Sequence, residues 1–168
     1  MTGAAPPPVT VRPATLADVD AVVAMLAEVA GEGRWIATEA PVDLEARHHS
    51  IAEAVQGDHA IVLVAEAGGE LVGDLGLHLA RYGVADLGML VAAGWRGRGV
   101  GTALLAEAVS RARAAGAHKI ALQVWPHNAA AIALYERFGF RREGYLRRHY
   151  RRRSGELWDA VVMGLPLD

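Results

Sequence analysis

The segment Arg96-Gly97-Arg98-Gly99-Val100-Gly101 alternates cations with glycines immediately ahead of an amphipathic run. Where a helix begins, the first amide N–H groups lack carbonyl partners and the macrodipole adds partial positive charge, so an anion is favoured there. Glycines at 97, 99 and 101 remove Cβ atoms that would keep a phosphate from the backbone. Arg96 and Arg98 add charge that can pair with phosphate oxygens. The spacing lacks the Gly-Lys-Ser/Thr ending of a triphosphate loop. A dinucleotide site would place its glycines after the first strand with an acid ~20 residues on, whereas this loop comes late and has no such acid. A diphosphate cradle and a tight turn that binds nothing remain open on the glycines alone.

Other side chains with chemistry to offer are scattered. Asp86 and His78 fall in strand-like runs, Glu32 and Glu39 flank Trp35 in a loop, and Tyr135 sits beside Leu134 and Phe138 in a helical run. His48 and His49 are adjacent, so on a helix they point ~100° apart, and no metal-ligand spacing is found. No metal is expected. Without cysteine there is no thiolate nucleophile, disulfide framework or Cys-based metal site, and a reducing cytoplasm fits. The net charge of −2 gives no general attraction to nucleic acid. Eight arginines lie between Arg137 and Arg153, and they read as a solvated strand-and-turn face.

The chain of 168 residues has the length of one domain. Residues 1–8, rich in Ala and Pro, read as a disordered leader without the pattern of a signal peptide, and 9–168 as a single domain. Apolar stretches break well before ~20 residues, so no membrane span is expected. Val9 to Arg12 alternates like a short strand. Thr15 followed by Asp18 is a capping-box-like start for a helix from Leu16 to about Ala30, with Val19, Val22, Val23, Leu26 and Val29 on one face. Gly31 to Pro41 is a loop before a second amphipathic helix, Val42 to Val55. Ala60 to Ala67 and Leu71 to Leu79 form a hairpin through Gly68-Gly69, and Val84 to Val91 is a further strand.

A helix from Gly99 to Ala115 then presents Val100, Leu104, Leu105, Ala108, Val109 and Ala112 to the sheet. His118 to Trp125 is a strand, Asn128 an N-cap, and Gly139 the stop of a helix ending at Phe138. Phe140 to Leu146 and Leu157 to Leu165 pair through Ser154-Gly155. The order β-α-α-β-β-β-α-β-α-β-β makes an α+β fold with helices on both faces of one mixed, mostly antiparallel sheet of about seven strands and about four helices. The last hairpin, if exposed, offers an edge on which a second copy of the chain could pair as a homodimer.

Met89-Leu90-Val91, then Arg96-x-x-Gly99-x-Gly101 opening a helix, resembles the acetyl-CoA-binding motif of the GNAT superfamily of N-acyltransferases. Asn128 to Glu136, closing with Phe138-Gly139-Phe140, resembles its second signature, in the expected order and spacing. The resemblance implies the GNAT fold, with acetyl-CoA as co-substrate. It implies that backbone amides of Met89, Leu90 and Val91 pair with the pantetheine arm and that Gly97, Arg98, Gly99, Val100, Gly101 and Thr102 wrap the pyrophosphate. Asn128 would touch the pantetheine side, and Tyr135 would stand near the thioester sulfur.

The C-terminal half is most similar to ribosomal-protein alanine N-terminal acetyltransferases. Those carry a glutamate where this chain has Gln123, and glutamine accepts no proton usefully at neutral pH. Asp86 matches a glutamate of phosphinothricin-type acetyltransferases.

Acyl transfer to an amine needs a base, because an amine of pKa ~10 arrives protonated, and an acid for the departing thiolate. Tyr135 is the expected acid and Asp86 the expected base, with His78 as a substitute on the acceptor side. Glu32 and Trp35 are expected to meet the acceptor, since GNAT proteins build much of that site from this loop. The expected reaction is acetyl transfer to the primary amine of a small molecule, by direct attack in a ternary complex. The alternatives are a protein or peptide N-terminus as acceptor, and a non-catalytic acyl-CoA-binding module.

Overall fold

A computed structural model describes residues 5–168. Of the expected leader, residues 1–4 lie outside the described residues, and 5–8 are exposed with neither helix nor strand. Strand β1 (Thr10–Pro13) enters a short 3₁₀ turn, Leu16–Asp18, and helix α1 (Val19–Gly31). Asp18 is nearly buried there, accepting from the Thr15 backbone N–H and hydroxyl and from the Arg12 guanidinium, which reaches both carboxylate oxygens at 2.8 and 2.9 Å. The sequence predicts one continuous helix from Leu16. The Thr15–Asp18 box instead closes a 3₁₀ turn before α1 begins.

Helix α2 (Leu44–Gln56) follows, its N–H at Ala46 capped by Asp43. Strands β2 (Ala60–Ala67), β3 (Glu70–Leu79) and β4 (Val84–Val91) form an antiparallel meander. Helix α3 (Val100–Ala114), strand β5 (Lys119–Val124), helix α4 (Ala129–Arg137) and the hairpin of β6 (Arg141–Arg151) and β7 (Leu157–Pro166) complete the chain. The seven strands lie in one sheet in the order β1-β2-β3-β4-β5-β7-β6. The one parallel pairing among the described residues, β4 with β5, is also the shortest within the central strands, running only from Val84–Lys119 to Asp86–Ala121. Beyond Asp86 the two strands part, and the β5-facing edge of β4 has no strand partner among the described residues.

Alternation along β3 and β4 divides two faces. Leu75, Leu77, Leu87 and Met89 pack with Val100, Leu104, Leu105, Ala108 and Ala112 of α3 in the main core. On the other face Leu90 packs with Met25 and Val29 of α1. Helix α2 buries none of its residues fully, but Ile51, Ala52, Ala54 and Val55 are half-buried where it packs on α1 and β2. One expectation needs correction. Strand β6 continues past Leu146 to Arg151 through an irregularity at which Arg148 has φ +50°, because the long β7 offers it a partner.

Candidate active site

The parting of β4 and β5 opens a cavity of about 660 Å³. One wall is β4 from Leu87 to Val91; the other is Gln123, Val124 and Trp125 at the end of β5 with Asn128 to Tyr135 beyond. The Arg96–Thr102 segment closes one end, and Trp35, Ile36 and Ala37 complete the lining, the Trp35 ring centroid 5.6 Å from the Arg96 guanidinium carbon.

At the glycine end, Gly97 and Gly99 have φ +72° and +83°, which L side chains rarely adopt. A Cβ at either would meet nothing within 4 Å, so the space above them is free for a ligand. Gly99 immediately precedes α3, whose first N–H groups therefore face this cradle. These features fit a diphosphate held at a helix N-terminus. Gly101 serves packing as well, since a Cβ there would come within 3.0 Å of Leu134.

The two arginines of the loop differ from expectation. Arg96 donates through Nε to the Val91 carbonyl and through both terminal nitrogens to Glu32, at 2.8 and 2.7 Å, so its guanidinium braces the site and is not free for phosphate. Arg98 is exposed, lies over the Trp95 ring and does not line the cavity. Met89, Leu90, Val91, Gly97, Gly99, Val100, Gly101, Thr102 and Asn128 all line it. Asn128 also accepts from the Ala131 N–H and so caps α4.

Tyr135 lines the same cavity from α4 and is otherwise buried against Phe140. Burial pushes its phenol up to about 12, so it holds its proton throughout the neutral range. Asp86 and His78 face each other across β4 and β3, exposed, and are not among the residues lining the cavity. Glu32 is likewise outside that lining, and its carboxylate is held below its ordinary range by Arg96. Trp35 does line the cavity, and its indole N–H donates to Glu32. Glu32 therefore bears on the cavity through Arg96 and Trp35, which occupy three of the roughly four acceptor positions of its carboxylate.

A residue that the sequence hid anchors the Ile36–Ala37 segment. Arg152, expected on a solvated face with its neighbours, is 5 % exposed. Its guanidinium lies 4.3 Å from the Trp158 ring centroid, donates to the carbonyls of Ala37 and Ile36, and pairs with Glu39. His127 adds a bond from its ring N–H to the Arg34 carbonyl, and Arg153 one to that of Pro41. These contacts fasten the loop between α1 and α2 onto an aromatic cluster in which Trp125 meets Tyr150 and Trp158 edge to face. Tyr150 donates to Gln123 Oε1, and both line the cavity.

A diphosphate cradle continuous with an unpaired strand edge and an aromatic lining is what transfer from an acylated pantetheine carrier requires. Fold and site together define an acyl-CoA-dependent acyltransferase. The chain belongs to the acetyltransferase (GNAT) family, whose model matches residues 25–140. It is 29% identical over 164 residues to an L-methionine sulfoximine/L-methionine sulfone acetyltransferase of Pseudomonas paraeruginosa, covering 95% of each chain. The crystal structure of a ribosomal-protein-alanine N-acetyltransferase from Brucella melitensis superimposes with a TM-score of 0.86 at 32% identity, over 94% of this chain and 99% of that one. The structure of yncA from Salmonella typhimurium, solved with its cofactor acetyl-CoA, gives 0.84 at 26% identity, over 95% and 94%. Acetyl-CoA is accordingly the co-substrate, and the protein is an acetyltransferase. Among the described residues no His, Cys, Asp or Glu cluster could hold a metal, and no helix is long and apolar enough to cross a membrane.

Proposed function

We propose that this acetyltransferase modifies the primary amine of a small molecule. The observation that carries this is the pinned loop: Trp35, Ile36 and Ala37 line the cavity, and bonds from His127 to the Arg34 carbonyl and from Arg152 to those of Ile36 and Ala37 hold that loop against the β5–β7 side. A peptide N-terminus would need an open groove there for the chain that follows it. The Pseudomonas relative that spans nearly the whole chain is named for a small amino-acid analogue, which agrees with this reading.

Acetyl-CoA supplies the activated acyl carbonyl when bound. The residues then divide the work. The amides around Gly97 to Thr102 hold the diphosphate, and the free edge of β4 at Met89 to Val91 offers backbone donors and acceptors to the pantetheine arm and to the carbonyl oxygen. Asn128 caps α4 and so fixes where Tyr135 stands. Tyr135, protonated at every working pH, donates to the departing sulfur. Trp35, Trp125 and Tyr150 exclude water and receive the apolar body of the acceptor, and the Gln123–Tyr150 pair offers it neutral hydrogen bonds.

Thiol release from acetyl-CoA in the presence of separate amines tests the reading. L-methionine sulfone, arylalkylamines, polyamines and alanine-terminated peptides make up the panel. Turnover of small amines is expected to exceed that of peptides at equal concentration. Peptides as the better substrates would reverse the assignment in favour of a protein N-terminus.

A further inference from the structure

On the α1 face of the sheet, hydrogen-bonded register aligns three rows across β2, β3 and β4. These are Val64–Asp74–Leu90, then Val62–Gly76–Gly88, then Ala60–His78–Asp86. The middle row is bare: a Cβ on Gly76 or Gly88 would meet nothing within 4 Å. Gly88 and Leu90 line the catalytic cavity together with Val29 of α1. Asp74 is not itself among the lining residues, but it stands directly across from one of them, Leu90, and diagonal to another, Gly88, a separation of about 5–8 Å between such side-chain positions.

Asp74 also has the one side-chain atom among the described residues that is buried without a partner, its Oδ1. The residue as a whole keeps some exposure, so the carboxyl is closed on one side only. Among the described residues no neighbouring cation balances it. The buried positions of α1 above this face (Val19, Val22, Val23, Met25, Val29 and Ala30) are all apolar. Arg12, one strand beyond Val64, is committed to Asp18 and Glu66. His78 and Asp86 lie two rows away and are exposed. An unpaired carboxyl in such a place is costly to folding, and such a cost is kept where function uses the group.

We propose that Asp74 is the proton acceptor for the incoming amine, reached through a water lying over the Gly76–Gly88 patch. The inference rests on the acetyltransferase reading above. In the step, an N–H bond of the ammonium breaks and the proton passes through the water to the Asp74 carboxylate. The nitrogen lone pair then forms the C–N bond to the acetyl carbon as the C–S bond breaks. The second proton shed by nitrogen ends on sulfur, the Tyr135 hydroxyl serving as the donor, and Asp74 returns its own proton to solvent. Burial raises the Asp74 carboxyl to about 7, which matches a base that must both take and release a proton at neutral pH. Asp86, the carboxylate that the sequence singles out, is also outside the lining and lies two residues from Gly88 on β4, but it is exposed, whereas Asp74 holds a buried oxygen without a partner.

The test is the pH profile of kcat/KM from pH 5.5 to 9.5, with saturating acetyl-CoA and L-methionine sulfone or 2-phenylethylamine as acceptor. The wild-type protein should show an acidic limb near pH 7. Asp74→Asn should lose about 100-fold at pH 7, lose that limb, and regain activity as pH rises and the amine deprotonates itself. Its Kd for acetyl-CoA should be unchanged, which separates lost chemistry from lost folding. Asp86→Asn should keep the limb at its wild-type position. An unchanged limb in Asp74→Asn, or its disappearance in Asp86→Asn, overturns the assignment. A wild-type protein that binds acetyl-CoA and acetylates no amine overturns this inference and the function on which it rests.

Discussion

Tyr135 and Asp74 are both pushed towards their protonated forms by burial, with opposite consequences for chemistry. A phenol moved up to about 12 stays a donor, whereas a carboxyl moved up to about 7 becomes an acceptor that is free at neutral pH about half the time. Replacing Tyr135 by Phe keeps the ring contact with Phe140 and removes only the hydroxyl. Turnover is expected to fall about 100-fold while acetyl-CoA affinity measured by calorimetry holds. An unaltered kcat would remove Tyr135 from the chemistry. Of the two residues, only Tyr135 was legible in the sequence, because its signature is local, from Asn128 to Glu136. Asp74 sits in an apolar strand between Gly73 and Leu75, and alternation alone puts it on a face that reads as solvent. That face is covered by α1, which is far away in sequence, and no local pattern announces the cover.

The same distinction separates elements. The turn into α3 could be read in advance, because Gly97 and Gly99 need only their neighbours to specify a left-handed backbone, and both adopt one. Gly99→Ala is expected to cost about 1–2 kcal/mol of stability and to weaken acetyl-CoA binding, because the first amides of α3 would turn out of the cradle. Gly94→Ala nearby, with free space and no positive φ, should do neither in the same melting and titration experiments. The loop between α1 and α2 was legible as a loop but not as a fixed one. Its chief anchor, Arg152, lies 115 residues from Ala37 and looks in the sequence like one more member of a charged run. Arg152→Met would keep much of the stacking on Trp158 while losing the bonds to Ile36 and Ala37, each worth about 1.5–3 kcal/mol when the donor is charged. Steady-state kinetics should show KM for the amine rising about tenfold or more with KM for acetyl-CoA unmoved. A rise in both would mean that the loop supports the whole site and not its acceptor end alone.

Across the whole molecule, two carboxyls set opposing pH dependences of stability. Arg12 holds the Asp18 carboxyl well below its ordinary range, so its contribution is complete above the unfolded value and is lost only as pH falls towards the folded one. Asp74 works the other way. Its native carboxyl keeps a proton that the unfolded chain releases, so stability falls as pH climbs from about 4 to about 7 and levels off above. Moving this group from 3.8 to about 7 sets a ceiling of about 4 kcal/mol, and a chain of this length responds by roughly 2–4 °C per kcal/mol. Thermal melts of the wild-type protein should therefore show a higher Tm at pH 5 than at pH 8. In Asp74→Asn, which cannot ionise, that difference should shrink, and the variant should be the more stable protein at pH 8. The gain in stability would accompany a loss of turnover, the pattern expected where a site keeps a group that folding alone would discard. Equal pH slopes for the two proteins would mean that the Asp74 carboxyl finds a partner or water in the folded state, and the physical reason for treating it as a poised base would fall with the slope.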